Sequence, residues 1–215
     1  MNTARAFIIS LVLTVGGVCG VWADDVYMMG RAIETWDRAL LGEALRGVEA
    51  DAKRHPDDVR VAYWHCVGAF HTVLMDKPSD EGVASVLETV RAANRLDPEQ
   101  KEIQAMLCVL YGMRIHHNKL RAVWLGPRVM SFGKSALAPP ENPRALYLAA
   151  TCRFYGGRGK KDFEEALRLL ERADVLFVEE SQLTPSATEP RWGRAGCLRF
   201  IKLVSEKLDL SLIHI

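Results

Sequence analysis

Four cysteines, Cys66, Cys108, Cys152 and Cys197, follow one another at intervals of 42, 44 and 45 residues. Thiols in so regular a series can pair as disulfides, hold a metal, or fill space between packed elements. No C-x2-C pair occurs, so the spacing of a structural zinc site is missing. A disulfide needs Cα atoms within about 7 Å, whereas packed helix axes lie about 8–10 Å apart, so only thiols turned toward each other can bridge. Cysteine is also a common small filler of buried helix contacts. Packing is the favoured role, and the four thiols are expected to be mainly free.

Other chemistry-bearing groups are weaker still. The adjacent His116 and His117 point about 100° apart on a helix and cannot share an ion as an i,i+4 pair can. His65 and His71 are also poorly spaced, and His116 and His117 suit an exposed helix end. The stretch "YGGRGKKD" lacks G-x4-G-K-[ST] and follows no strand, so it suits a helix-to-helix turn, with Asp162 as the expected N-cap. No nucleophile elbow, zincin motif or convincing triad spacing is present. No catalytic residue, metal site or cofactor is therefore assigned, and the chain is not expected to be an enzyme.

The elements around these residues repeat. The strings "HPDDVRVAYWHCVGAF", "DPEQKEIQAMLCVLYG", "NPRALYLAATCRFYGG" and "EPRWGRAGCLRFIKL" each open on a polar residue and a proline and continue as an apolar-rich helix with one cysteine. Their prolines, Pro56, Pro98, Pro143 and Pro190, lie 42, 45 and 47 residues apart. Proline cannot donate within an ongoing helix but suits the first turn of a new one. Second helices lie between. In "DFEEALRLLERADVLF", Phe163, Ala166, Leu167, Leu170, Ala173 and Phe177 share one face, and Glu164 is spaced to pair with Arg168. "SDEGVASVLETVRAANRLDP" follows the same scheme, with Ser79 or Asp80 as N-cap. No stretch alternates with period two, so the fold class is all-α.

These residues resemble the tetratricopeptide repeat family, whose first helix follows W-x2-L-G-x2-Y and whose second follows A-x3-F-x2-A-x4-P. Trp64, Val67, Gly68 and His71 occupy the first pattern, and Val86, Val90, Ala93 and Pro98 the second. Tyr147, Ala150, Thr151 and Phe154 with Ala166, Leu170 and Ala173 form another unit, and Trp192, Ala195, Gly196 and Arg199 open a last one. More narrowly, the chain is similar to a group of secreted bacterial repeat proteins. The resemblance implies helical-hairpin repeats in a short right-handed solenoid, with units near 56–98, 99–142 and 143–189 and a partial unit from 190. It departs from the pattern between Gln104 and Ala138, where Leu125–Pro127 interrupts the second helix.

A net charge of +1, with 49% apolar and 26% charged residues, provides no bulk attraction to nucleic acid. Arg5, the apolar run "AFIISLVLTVGGV" and the small residues Val21 and Ala23 have the layout of a signal peptide over 1–23. The repeat domain then covers 24–209. A periplasmic or secreted protein is expected, with no membrane span once the leader is cleaved; lipidation at Cys19 is the weaker alternative because Val18 precedes it. Residues 210–215, "LSLIHI", back-translate to a sequencing-adapter end and are expected to be a read-through scar, extended or ill-defined beyond the last helix.

In a helical solenoid the first helices line a concave face on which extended ligands bind. Tyr63, Tyr111, Arg114, Arg153 and Tyr155 are the ligand-groove candidates. The two arginines are included because burial of an unpaired guanidinium is costly. Trp64 and Tyr147 are expected in the repeat core. The expected activity is binding of a protein or peptide partner. The alternatives are a small-ligand or lipid-binding component assisting a transporter and, more distantly, a cell-envelope hydrolase.

Overall fold

The computed structural model describes residues 22–76, 78–184 and 189–212, with side chains as far as Asp209. The described residues form nine α-helices and no strand. They are α1 (22–35), α2 (Arg38–Arg54), α3 (Val59–Met75), α4 (Asp80–Leu96), α5 (Lys101–His117), α6 (Ala122–Ala136), α7 (Pro143–Gly156), α8 (Lys160–Ser181) and α9 (Arg194–Leu212). A single 3₁₀ turn, Lys119–Arg121, leads into α6. Most of the proposed leader lies outside the described residues, but Trp22 and Ala23 open α1, a helix the sequence patterns did not mark.

Caps set the helix starts. Asn142 accepts from the Arg144 and Ala145 amides, both at 3.0 Å, and Pro143 takes the first turn, where a missing N–H has no consequence. Asp58 caps α3 and Ser79 caps α4 in the same way, just beyond the proline or loop that stops the preceding helix. Three local expectations need correction. Gly159, not Asp162, is the cap residue of α8; Asp162 lies inside the helix and reaches back to accept from the Arg158 amide at 2.9 Å. Arg168 pairs with Glu165 at 2.8 Å rather than Glu164, which faces Lys160 instead. Pro127 sits inside α6 without ending it. The carbonyl that loses its donor there belongs to Val123, which is 81% exposed, so water can satisfy it.

The helices form two layers. Consecutive helices from α2 to α9 pack side by side, while α5 also touches α3 and α7, and α7 touches α9. The shared layer of α3, α5 and α7 is buried on nearly every side; in α5 Ile103 and the run Ala105–Tyr111 are all buried. α4 and α8 bury single stripes, Val83, Leu87, Val90 and Ala93 in one and Ala166, Leu170, Ala173 and Phe177 in the other. Gly68 and Gly196 both stand where helices come close. A Cβ on Gly68 would fall 2.8 Å from Met29 and Leu45, and one on Gly196 would fall 2.6 Å from the Tyr147 hydroxyl. The last helix runs through Leu212, so the backbone of the first three tail residues is helical rather than extended.

Residues far apart in sequence join the two ends of the fold. Glu34, on α1, accepts from the Gly193 amide and, at 3.0 Å, from the Ala195 amide at the start of α9. Gly193 has φ +108°, which carries the chain into the helix with its amide turned toward α1. Arg199 covers the Trp36 ring at 5.5 Å. Because Glu34 does the work of an N-cap carboxylate, Glu34→Ala should lower stability by about 1–2 kcal/mol in urea titration. A variant with an unchanged midpoint would mean that α1 and α9 are not coupled through this contact.

Candidate functional site

The layer expected to carry an open groove is covered by the chain itself. Trp192, in the segment before α9, is 1% exposed. Its indole donates to the Tyr63 hydroxyl at 3.0 Å, and its ring meets the edge of His71 with centroids 4.8 Å apart. Tyr63 in turn donates to Glu102, which accepts from the Asn142 amide at 2.9 Å. Arg144, 4% exposed, lies 3.7 Å from Glu102 and forms a two-pronged pair with Glu180 at 2.6 and 2.9 Å. It also donates to the Pro190 carbonyl and lies over the Trp192 ring at 5.8 Å.

Electrostatics follow from this burial. Burial alone disfavours the Arg144 cation, but the Glu102 and Glu180 carboxylates reverse the effect and raise its pKa. Burial, reinforced by the Glu102 charge, holds Tyr63 protonated well above its usual range. His71 is kept neutral, its pKa pushed down to about 4 by burial, although its Nδ1–H donates to the Val67 carbonyl at 2.8 Å. Perturbed groups of this kind often mark active sites, but structural ion-pair networks perturb them equally. Here the groups pair with one another, although Arg144 Nε is buried without a hydrogen-bond partner, and Trp192 fills the space above them.

The groove candidates consequently separate. Tyr63 belongs to the buried network and faces no open groove. Arg114 lies 2.7 Å from Asp80, which Arg121 also grips with both prongs at 2.6 and 2.9 Å. Arg153 pairs with Asp162 at 3.1 Å, and Tyr155 is 68% exposed with its ring edge against Phe200. Tyr111 alone meets an open cleft, one of about 490 Å³ between α4, α5 and α6 that also holds Arg91, Arg95 and Arg128. Another cleft, of about 550 Å³, lies between α2, α3 and α4 and is lined mainly by apolar groups, with His65 at its wall. Burial lowers the pKa of His65.

The least covered apolar surface lies on α6 and the turn before it. Ala136 is the one buried residue of that helix, while Leu120, Val123, Trp124 and Met130 are 75%, 81%, 59% and 71% exposed. Leu125, Val129 and Phe132 on the other side pack against the core. The sequence has no acidic residue between Glu102 and Glu141, yet carries Lys119, Arg121, Arg128 and Lys134 there. That acid-free interval was the available sequence signal for this surface; the cysteine series and the repeat pattern drew attention elsewhere. The chain matches no protein family, no curated protein and no solved structure.

All four cysteines among the described residues are free thiols. Cys66 and Cys197 are buried singly, whereas Cys108 donates to Cys152 across 3.5 Å. That hydrogen bond holds the proton on Cys108 and lowers the pKa of Cys152, which is also the more exposed of the two. Limited alkylation of the native protein, followed by peptide mass spectrometry, should therefore mark Cys152 first. Equal labelling of all four would contradict the thiol pair.

Trp192 and His71 generate a second expectation. A histidine whose folded pKa lies below 6.5 adds stability at neutral pH that is lost as pH falls from 6.5 toward about 4. The shift corresponds to a loss on the order of 3 kcal/mol, measurable by urea titration across that range. Trp192→Ala should cost about 3–5 kcal/mol at pH 7 and, by NMR titration, return the His71 pKa toward its ordinary value. A His71 pKa unchanged in that variant would show that Trp192 does not seal the ring from water.

Proposed function

We propose that the chain is a non-catalytic interaction module of the tetratricopeptide type, working in the periplasm and binding a protein segment. The outer face of α6 carries this reading. Its stripe of Leu120, Val123, Trp124 and Met130 is apolar and exposed, with the exposed Lys119 and Lys134 near its two ends in sequence. A monomer rarely leaves so much large apolar surface clustered on one helix unless something covers it. An amphipathic partner segment with acidic residues beside its apolar stripe complements this face in both shape and charge.

The repeat reading is supported by Gly68 and Gly196, which share one position of the family pattern and both stand at close helix contacts. The proposed binding surface is the outside of α6 rather than the first-helix face, because Trp192 occupies the latter. The small-ligand alternative draws on a specific feature, the 490 Å³ cleft on the flank of the same helix.

A photo-crosslinking amino acid placed at Val123 or Met130 should yield a discrete protein adduct in intact cells, while one at the exposed Glu171 on α8 should not. Val123→Asp should reduce the Met130 adduct without lowering the melting temperature, since Val123 is 81% exposed. Absence of any adduct specific to α6 would remove the proposed surface.

A further inference from the structure

The cleft between α4 and α6 has a chemistry separate from the apolar stripe. Helices α4 and α6 each pack on α5 but make no mutual packing contact, which leaves a gap over Tyr111 and Leu107. Arginines enter this gap from both walls. Arg91 donates to the Tyr111 hydroxyl through Nε at 3.0 Å and Nη2 at 2.7 Å, and Arg128 donates to the same oxygen at 3.3 Å. Their guanidinium carbons lie 5.4 and 5.6 Å from the centre of the Tyr111 ring. Phe132 is stacked against that ring, with 5.8 Å between centroids and 13° between planes.

The charges in the gap do not balance. Glu88 pairs with Arg91 at 2.5 Å, but among the described residues no acidic side chain pairs with Arg95 or Arg128. A phenol hydroxyl between two guanidiniums orients both without neutralising either. Two like charges converging on one neutral oxygen repel, and an anion in the cleft would turn that repulsion into attraction. Asn94 on one wall and the exposed Ser131 on the other complete the polar lining.

We propose that this cleft is an oxyanion site that binds the phosphate group of a phosphate ester. A carboxylate can be satisfied by one guanidinium fork, whereas donors arriving from two walls suit an anion with three or more acceptor oxygens. The floor of Leu107, Tyr111 and Phe132 is apolar, and the 490 Å³ volume leaves room beyond a bare phosphate for the esterified group. Arg95 and Arg128 supply the two uncompensated charges. Two sources offer this chemistry, a soluble phosphate ester and a phospholipid headgroup. The site does not depend on the proposed protein-binding face of α6, because Arg128 and Phe132 lie on a different flank from Val123 and Met130.

Calorimetry on the intact protein with inorganic phosphate and phenyl phosphate tests the soluble source. Co-sedimentation with phosphatidylglycerol vesicles, against phosphatidylcholine vesicles, tests the headgroup. Phenyl phosphate should bind more tightly than inorganic phosphate, because its ring reaches the aromatic floor. Arg95→Gln and Arg128→Gln should each weaken binding at least about tenfold, and together should abolish it. Arg172→Gln, on α8, should leave binding unchanged. The apo double variant should keep the parent's helical circular-dichroism spectrum and cooperative melt, since both side chains are exposed and neither is in an ion pair among the described residues, so loss of binding will not reflect unfolding. Arginine-dependent binding of phenyl phosphate assigns the soluble source. Arginine-dependent sedimentation with phosphatidylglycerol alone assigns the headgroup. The proposal is overturned if neither probe binds, or if binding survives in the double variant.

Discussion

The Arg144 guanidinium is the group around which the inner layer is organised. A cation that is 4% exposed is tolerated only where opposite charge and hydrogen bonds replace its lost water, and each of its partners comes from a different element. Glu102 reaches it from α5, Glu180 from the end of α8, and the Pro190 carbonyl from the segment before α9. That segment is thereby fixed so that Trp192 lies over the network and donates to Tyr63 on α3. Removing any one partner would leave a buried charge or a buried donor unmet, so the set acts as a unit. Its consequence is that α3, α5, α7 and α9 meet in one arrangement rather than several.

The surface formed by Tyr63, His71 and Arg144 is occupied by the chain's own tryptophan, Trp192. The end of the molecule is held in place by Glu34, which brings α1 against the start of α9. The surfaces proposed above lie instead on α6, which rests one face on the core and leaves the other uncovered. The same helix offers two chemistries on adjacent flanks. One is an exposed apolar stripe, and the other an arginine-lined cleft with an aromatic floor.

Charge is distributed to match. The whole chain is nearly neutral at +1, yet the stretch from Ile103 to Pro140 contains no acidic residue. Arg114 and Arg121 in that stretch share Asp80, which α4 provides, whereas Arg128 finds no carboxylate among the described residues. Net charge conceals this asymmetry because the compensating carboxylates lie elsewhere in the chain, seven of them on α8. A local field can therefore attract an anion although the molecule as a whole would not.

Local physics wrote much of the fold into the sequence. Helical periodicity, the prolines between helices and the cap residue Ser79 act over a few residues, so the helices α3, α4, α5, α7 and α8 were legible directly. The apolar stripe of α8 and the exposed helix end at His116 and His117 were legible for the same reason. Where a choice depended on distant partners, sequence spacing misled. Pro127 looked like an interruption but is accommodated because the freed Val123 carbonyl faces water, which only packing decides. Arg168 chose Glu165 over Glu164 through side-chain direction. Tyr63 was indistinguishable from Tyr111 as an aromatic on a first helix, until Trp192, 129 residues later, covered one and left the other at a cleft. The closeness of Glu34 to Ala195, and of Arg128 to Arg91, arises from the stacking of whole helices. No short-range pattern encodes such contacts, because the free energy that selects them is gained only when the layers assemble.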